Sequence, residues 1–101
     1  MFYVYRQNNS GGSFRPPAIN VIVEASSAVE ADSIAEGVGI YFDGRPGDCI
    51  SCCGYRWDQA SDVWDRCGTL EEAKGSISKH DEEWAIADRV PAVIVLEKDN
   101  A

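Results

Sequence analysis

A chain of 101 residues is long enough for one domain, residues 1–101, with one modest core. A hydrophobic fraction of 45% beside 26% charged residues is that of a folded globular protein and argues against disorder. A net charge of −8 argues against nonspecific binding to DNA or RNA phosphates, and no stretch reaches the roughly 20 apolar residues of a membrane helix.

The acid is unevenly placed. Residues 1–47 carry three basic and five acidic side chains, whereas residues 48–101 carry six and twelve. A small anionic ligand therefore meets less repulsion from the N-terminal half.

Residues 2–7 open the chain as a strand, with Phe2 and Val4 alternating against Tyr3 and Tyr5. No basic n-region or apolar h-region precedes it, so no signal peptide is expected and a cytoplasmic protein is the default reading. The strand runs into a polar loop. Arg6 supplies a cation, and Gln7, Asn8, Asn9, Ser10 and Ser13 supply both donors and acceptors. Gly11 and Gly12 permit positive φ and close approach of backbone N–H groups, as in an anion-binding nest. The same composition also suits a plain turn. Arg15 ends the loop, and Pro16 and Pro17 interrupt regular structure.

Residues 19–25 form the second strand, antiparallel to the first, with Ile19, Val21 and Val23 on one face. Ser27 and Glu30 then make a capping box for a helix over 27–37. Its stripe is Ala28, Ala31, Ile34, Ala35 and Val38, and Gly37 and Gly39 end it. Thr69 and Glu72 form a second capping box, for a short helix stopped at Gly75. Residues 76–89 have isolated apolar positions and no period. Residues 92–96 are almost continuously apolar and read as a strand buried on both faces. The fold expected is α+β: a small, mainly antiparallel sheet of 2–7, 19–25 and 92–96, with the 27–37 helix packed on one face.

Two segments can carry chemistry. Cys49 and Cys52 have the C-x₂-C spacing of two zinc thiolates, and a closed site would need Cys67 with Cys53 or His80 as well. Adjacent Cys52 and Cys53 sit awkwardly on one ion, and ordinary reduced thiols in a small core are the competing reading. Redox use of this spacing wants a thiol at a helix N-terminus, whereas a Gly-Tyr-Arg turn follows here. The other segment is the polar loop, supported by Arg56 and Trp57. An aromatic ring beside an arginine can stack a base and neutralise a phosphate, or it can simply anchor a core. The sequence has no P-loop, dinucleotide fingerprint or H-E-x-x-H motif.

The opening Phe2–Phe14 stretch, the Val21–Ala25 strand with its helix, Tyr41-Phe-Asp-Gly44 and Asp48-Cys49…Cys52-Cys53-Gly54…Arg56-Trp57 together resemble a family of small uncharacterised bacteriophage proteins. The resemblance covers about the first 57 residues. The family's cysteine turn is the tighter Cys-Pro-Cys-Cys-Gly, so Ile50-Ser51 lengthens it here.

The resemblance implies no activity, but it implies a setting: the cytoplasm of an infected bacterium, and a role against host defence. The expectation is a binder, not an enzyme, that sequesters a small nucleotide-derived signal of cyclic nucleotide or cyclic ADP-ribose type. Its ligand residues would be Arg6, Gln7, Asn8, Asn9, Ser10, Gly11, Ser13, Arg56 and Trp57, with the interface of a homo-oligomer helping to enclose the ligand. No cofactor is required in that reading, although zinc could stabilise the cysteine region. The alternatives are an acidic inhibitor of a host protein and a small zinc-stabilised interaction module.

Overall fold

A computed structural model describes residues 1–8, 14–43, 55–60 and 66–97. The central pair of strands is β1 (Phe2–Arg6) and β2 (Asn20–Glu24), antiparallel with Phe2 opposite Glu24 and Arg6 opposite Asn20. Alternation sends Tyr3, Tyr5, Val21 and Val23 to one side of the sheet and Val4 and Ile22 to the other. All six are buried, because both faces of the sheet are covered.

A two-residue strand, β3 (Arg66–Cys67), pairs antiparallel with β1. The last strand, β4 (Val93–Leu96), lies parallel to β2, giving the order β3-β1-β2-β4. The sheet is thus mainly antiparallel, with one parallel pair at its edge. A parallel partner needs a long crossover, and the 68 residues between β2 and β4 provide it. Full burial of the last strand was the expectation. All four of its residues are instead only half-buried, since among the described residues it has a strand neighbour on one side alone.

Helix α1 (Ala28–Gly37) covers the tyrosine face of the sheet. The Ser27 hydroxyl accepts the Glu30 N–H at 3.1 Å, and the Glu30 carboxylate reaches back to the Ser26 N–H and hydroxyl. Ala31 and Ala35 are fully buried, their small side chains letting the helix sit close to the sheet. Gly39 ends the turn at φ 106°, in the region that favours glycine.

A buried polar contact ties this layer down. The Tyr5 hydroxyl donates to Asp32 Oδ1 of α1 at 2.8 Å, and the Ala60 N–H donates to the same oxygen at 2.8 Å. Burial, and then the carboxylate beside it, push the Tyr5 phenol well above its ordinary range.

Helix α2 (Leu70–Gly75) covers the opposite face, placing Ala73 and Leu70 against Val4, Ile22 and Phe2. Thr69 caps it, accepting the Glu72 N–H at 3.2 Å. Helix α3 (Asp81–Asp88) closes the end of the sheet where β1 finishes and β2 begins. The sequence shows no period there for a physical reason. The buried residue of α3 is Asp81, while Trp84 and Ile86 face outward.

Candidate functional site

Arg6 is the last residue of β1, on the same side of the sheet as Val4. Its side chain is 49% exposed, whereas that of its partner Asp81 is 2% exposed. Arg6 Nη1 donates to Asp81 Oδ2 and, at 3.5 Å, weakly to Asn20 Oδ1. Asn20 Nδ2 donates to Asp81 Oδ2 at 2.8 Å and to the Ala92 carbonyl at 3.0 Å.

Burial alone would raise the Asp81 pKa. The hydrogen bonds from Arg6 and Asn20 and the guanidinium charge outweigh it and hold the carboxyl below the usual carboxylate range. Asp81 therefore stays ionised and pins the guanidinium at the mouth of the sheet.

An open groove of about 560 Å³ starts at that guanidinium and is lined by Arg6, Gln7, Asn8, Phe14, Asp58 and Trp84. Trp84 is 50% exposed and meets Phe14 edge to face, with ring centres 6.2 Å apart. The Phe14 N–H donates to Asp88 Oδ2 at 2.8 Å, so α3 holds the loop return as well as the indole. The groove thus presents a fixed cation, a half-exposed aromatic face, an amide at Asn8 and an exposed carboxylate at Asp58.

Arg6 and Asn8 were expected to contact a ligand, and they line the groove. Gln7 lines it too, but its side-chain amide is spent on the protein, and Arg56 and Trp57 are buried away from the groove, which corrects the roles expected of all three. The Gln7 side-chain amide is buried and fully used: Nε2 donates to the carbonyls of Arg15 and Ala18, and Oε1 accepts from the Arg15 N–H and Arg56 Nη1. Arg56 is 1% exposed, and its guanidinium braces the chain beneath the groove. Trp57 is 1% exposed and packs with Tyr3, Tyr5 and α1, so it anchors the core and offers no stacking face. Among the described residues the half-exposed ring that lines the groove is that of Trp84. Its signal in the sequence is a lone tryptophan in an acidic, aperiodic stretch, beside an aspartate whose burial only the tertiary structure reveals.

Asn9, Ser10, Gly11 and Ser13 lie outside the described residues, as do Cys49, Cys52 and Cys53 of the expected zinc set. Cys67 sits in β3 opposite Phe2, half-buried beside Leu70 and α2. His80 is exposed at the start of α3 and makes no side-chain capping bond. Among the described residues no three His, Cys, Asp or Glu side chains converge as metal ligands would. No helix among them is long and apolar enough to cross a membrane.

No curated protein and no solved structure matches the chain. A family model does, described as a domain of unknown function, DUF7296, and the match spans residues 1–100. The chain belongs to that family.

Proposed function

We propose that this member of the DUF7296 family captures a small nucleotide-derived molecule in the Arg6–Trp84 groove and holds it without cleaving it. One observation carries the reading. A half-exposed indole and a half-exposed guanidinium, each fixed by its neighbours, line the same 560 Å³ groove. That volume falls within the roughly 300–1,000 Å³ of small-ligand sites. Stacking a base on Trp84 is worth about 1–3 kcal/mol. Arg6 uses Nη1 for both of its protein bonds among the described residues, so Nη2 and Nε remain for a phosphate oxygen. Asn8 and Asp58 supply an amide and an acceptor for ribose hydroxyls or base N–H groups.

Electrostatics narrows the ligand. Asp81 already neutralises Arg6, and Asp58 adds a negative charge. The groove therefore favours a ligand with little charge, a cyclic nucleotide or nucleoside monophosphate, over a polyphosphate. The resemblance to small bacteriophage proteins supports a host-defence signal of cyclic nucleotide or cyclic ADP-ribose type, met in the cytoplasm of an infected cell.

Thermal shift and calorimetry against cyclic nucleotides, nucleoside monophosphates and cyclic ADP-ribose isomers test the proposal. A ligand at 100 times its Kd stabilises the native state by about 2.7 kcal/mol. The expected result is a shift for one class, lost in Trp84→Leu, with the ligand recovered intact. No shift from any member at excess ligand sinks the reading.

A further inference from the structure

Strand β4 ends the sheet, and among the described residues no strand pairs with its outer edge. The Asn20 N–H donates to the Ala92 carbonyl, and Asn20 is in register with Val93. In a parallel ladder this directs the backbone groups of Ile94 and Leu96 toward β2 and those of Val93, Val95 and Glu97 outward. The strand itself, Val-Ile-Val-Leu, carries no charge and no proline, and its residues are half-buried. It therefore lacks the usual guards of an edge strand.

A second feature lies beside the edge. A groove of about 340 Å³ runs between α2 and the start of β4, lined by Ile77, Ala92 and Val93, and its charged residues are Lys74, Lys79 and Glu82, so basic side chains outnumber acidic ones there. Both lysines are exposed, in a chain of net charge −8. Val93 and Val95 point to this α2 face of the sheet.

We infer that β4 is a homodimer edge, at which a second copy pairs its own β4 antiparallel and places its Glu97 between Lys74 and Lys79. Two-fold symmetry about an axis normal to the sheet fixes the choice, because facing residues must then share a side. One register centres on Val95. Val95 faces Val95 of the second copy, and Val93 faces Glu97, so every outward backbone group finds a partner. Alternation carries that Glu97 to the α2 face, where the two lysines stand. Of the two neighbouring registers, the one centred on Ile94 sets Glu97 opposite Pro91, which has no N–H to give, and the one centred on Leu96 sets Glu97 opposite Val95, away from the groove at Val93. Charge complementarity and backbone pairing therefore select the same arrangement, and symmetry repeats it at both ends.

The test is sedimentation velocity of the full chain over a wide concentration range, using two charge-reversed variants. Glu97→Lys confronts lysine with lysine across the homodimer; Lys74→Glu/Lys79→Glu confronts glutamate with glutamate. Each alone should weaken dimerisation roughly tenfold or more. Mixed together, they should form a heterodimer about as tight as the wild type, since every reversed site meets its complement. Val95→Pro removes an N–H that points away from β2, at the cost of the valine's packing on the α2 face, and should leave a monomer whose circular dichroism still reports the fold. A wild-type chain that stays monomeric at every concentration overturns the inference. So does a mixture that associates no better than either variant alone.

Discussion

Removing Arg6 should destabilise the protein more than removing its partner's charge, although Arg6 is the more exposed of the two. Arg6→Ala leaves the Asp81 carboxylate, 2% exposed, with Asn20 Nδ2 as its remaining donor. Breaking a buried ion pair costs about 3–5 kcal/mol. Water admitted by the missing side chain reduces this to about 2–3 kcal/mol here, because Arg6 is half in solvent. Asp81→Asn instead leaves a guanidinium that water can reach and an amide oxygen that still accepts from Arg6 and Asn20. That change should cost about 1 kcal/mol. For a domain of this size the Tm should fall by roughly 10–20 °C for Arg6→Ala and about 5 °C for Asp81→Asn.

The pH dependence follows from the lowered Asp81 pKa. A carboxyl held below its unfolded value contributes stability above that value and loses it as pH falls through the folded pKa. In Arg6→Ala the folded pKa rises. The gap from wild type should therefore be widest near neutrality and close as pH drops below about 4, where the acid becomes neutral and no longer needs a cation. Differential scanning calorimetry from neutral to acid pH measures this, and other carboxylates cancel in the difference. The reasoning fails if Arg6→Ala costs less than Asp81→Asn at neutral pH, or if its cost is the same in acid.

Two further outcomes follow from the groove's underpinning. Gln7→Leu keeps the volume but strips partners from the Arg15 N–H, two carbonyls and one bond of Arg56, so it should cost at least about 3 kcal/mol; a urea midpoint within error of wild type would contradict this. Among the described residues Trp57 Nε1 is buried with no hydrogen-bond partner. Trp57→Phe removes that orphan donor, worth about 1–3 kcal/mol, while leaving a cavity of opposing cost, so stability should change by only about 1 kcal/mol. A loss comparable to the roughly 3–5 kcal/mol of a Trp→Ala change would show that the indole N–H is satisfied after all.

Much of the fold was legible in the sequence because its core elements announce themselves locally. Tyr3 and Tyr5 alternate with Phe2 and Val4, and Ser27-x-x-Glu30 and Thr69-x-x-Glu72 cap two helices at the expected places. What could not be read is long-range. The parallel pairing of β4 with β2 is decided by a 68-residue crossover, and α3 packs an aspartate inward against a charge that is 75 positions away. The same gap misdirects the site. Arg56-Trp57 looks like a stacking pair in sequence, yet both side chains are buried, while Trp84 stands in a stretch with no period and reaches the groove. Charge counts could not separate Asp81 from the acidic neighbours that face water.

The buried Asn20 amide shows how the two surfaces share a foundation. One side chain donates both to Asp81, which fixes the Arg6 guanidinium at the groove, and to the Ala92 carbonyl, which fixes the start of β4. Asn20 is the central β2 residue at this end, with Arg6 on one side and Val93 on the other. A polar residue fully buried in a central strand is costly unless every bond is made. Here its bonds join β1, β4 and α3 at a single corner. That corner fixes the guanidinium at the Arg6–Trp84 groove on one side and sets the backbone phase of the β4 edge on the other.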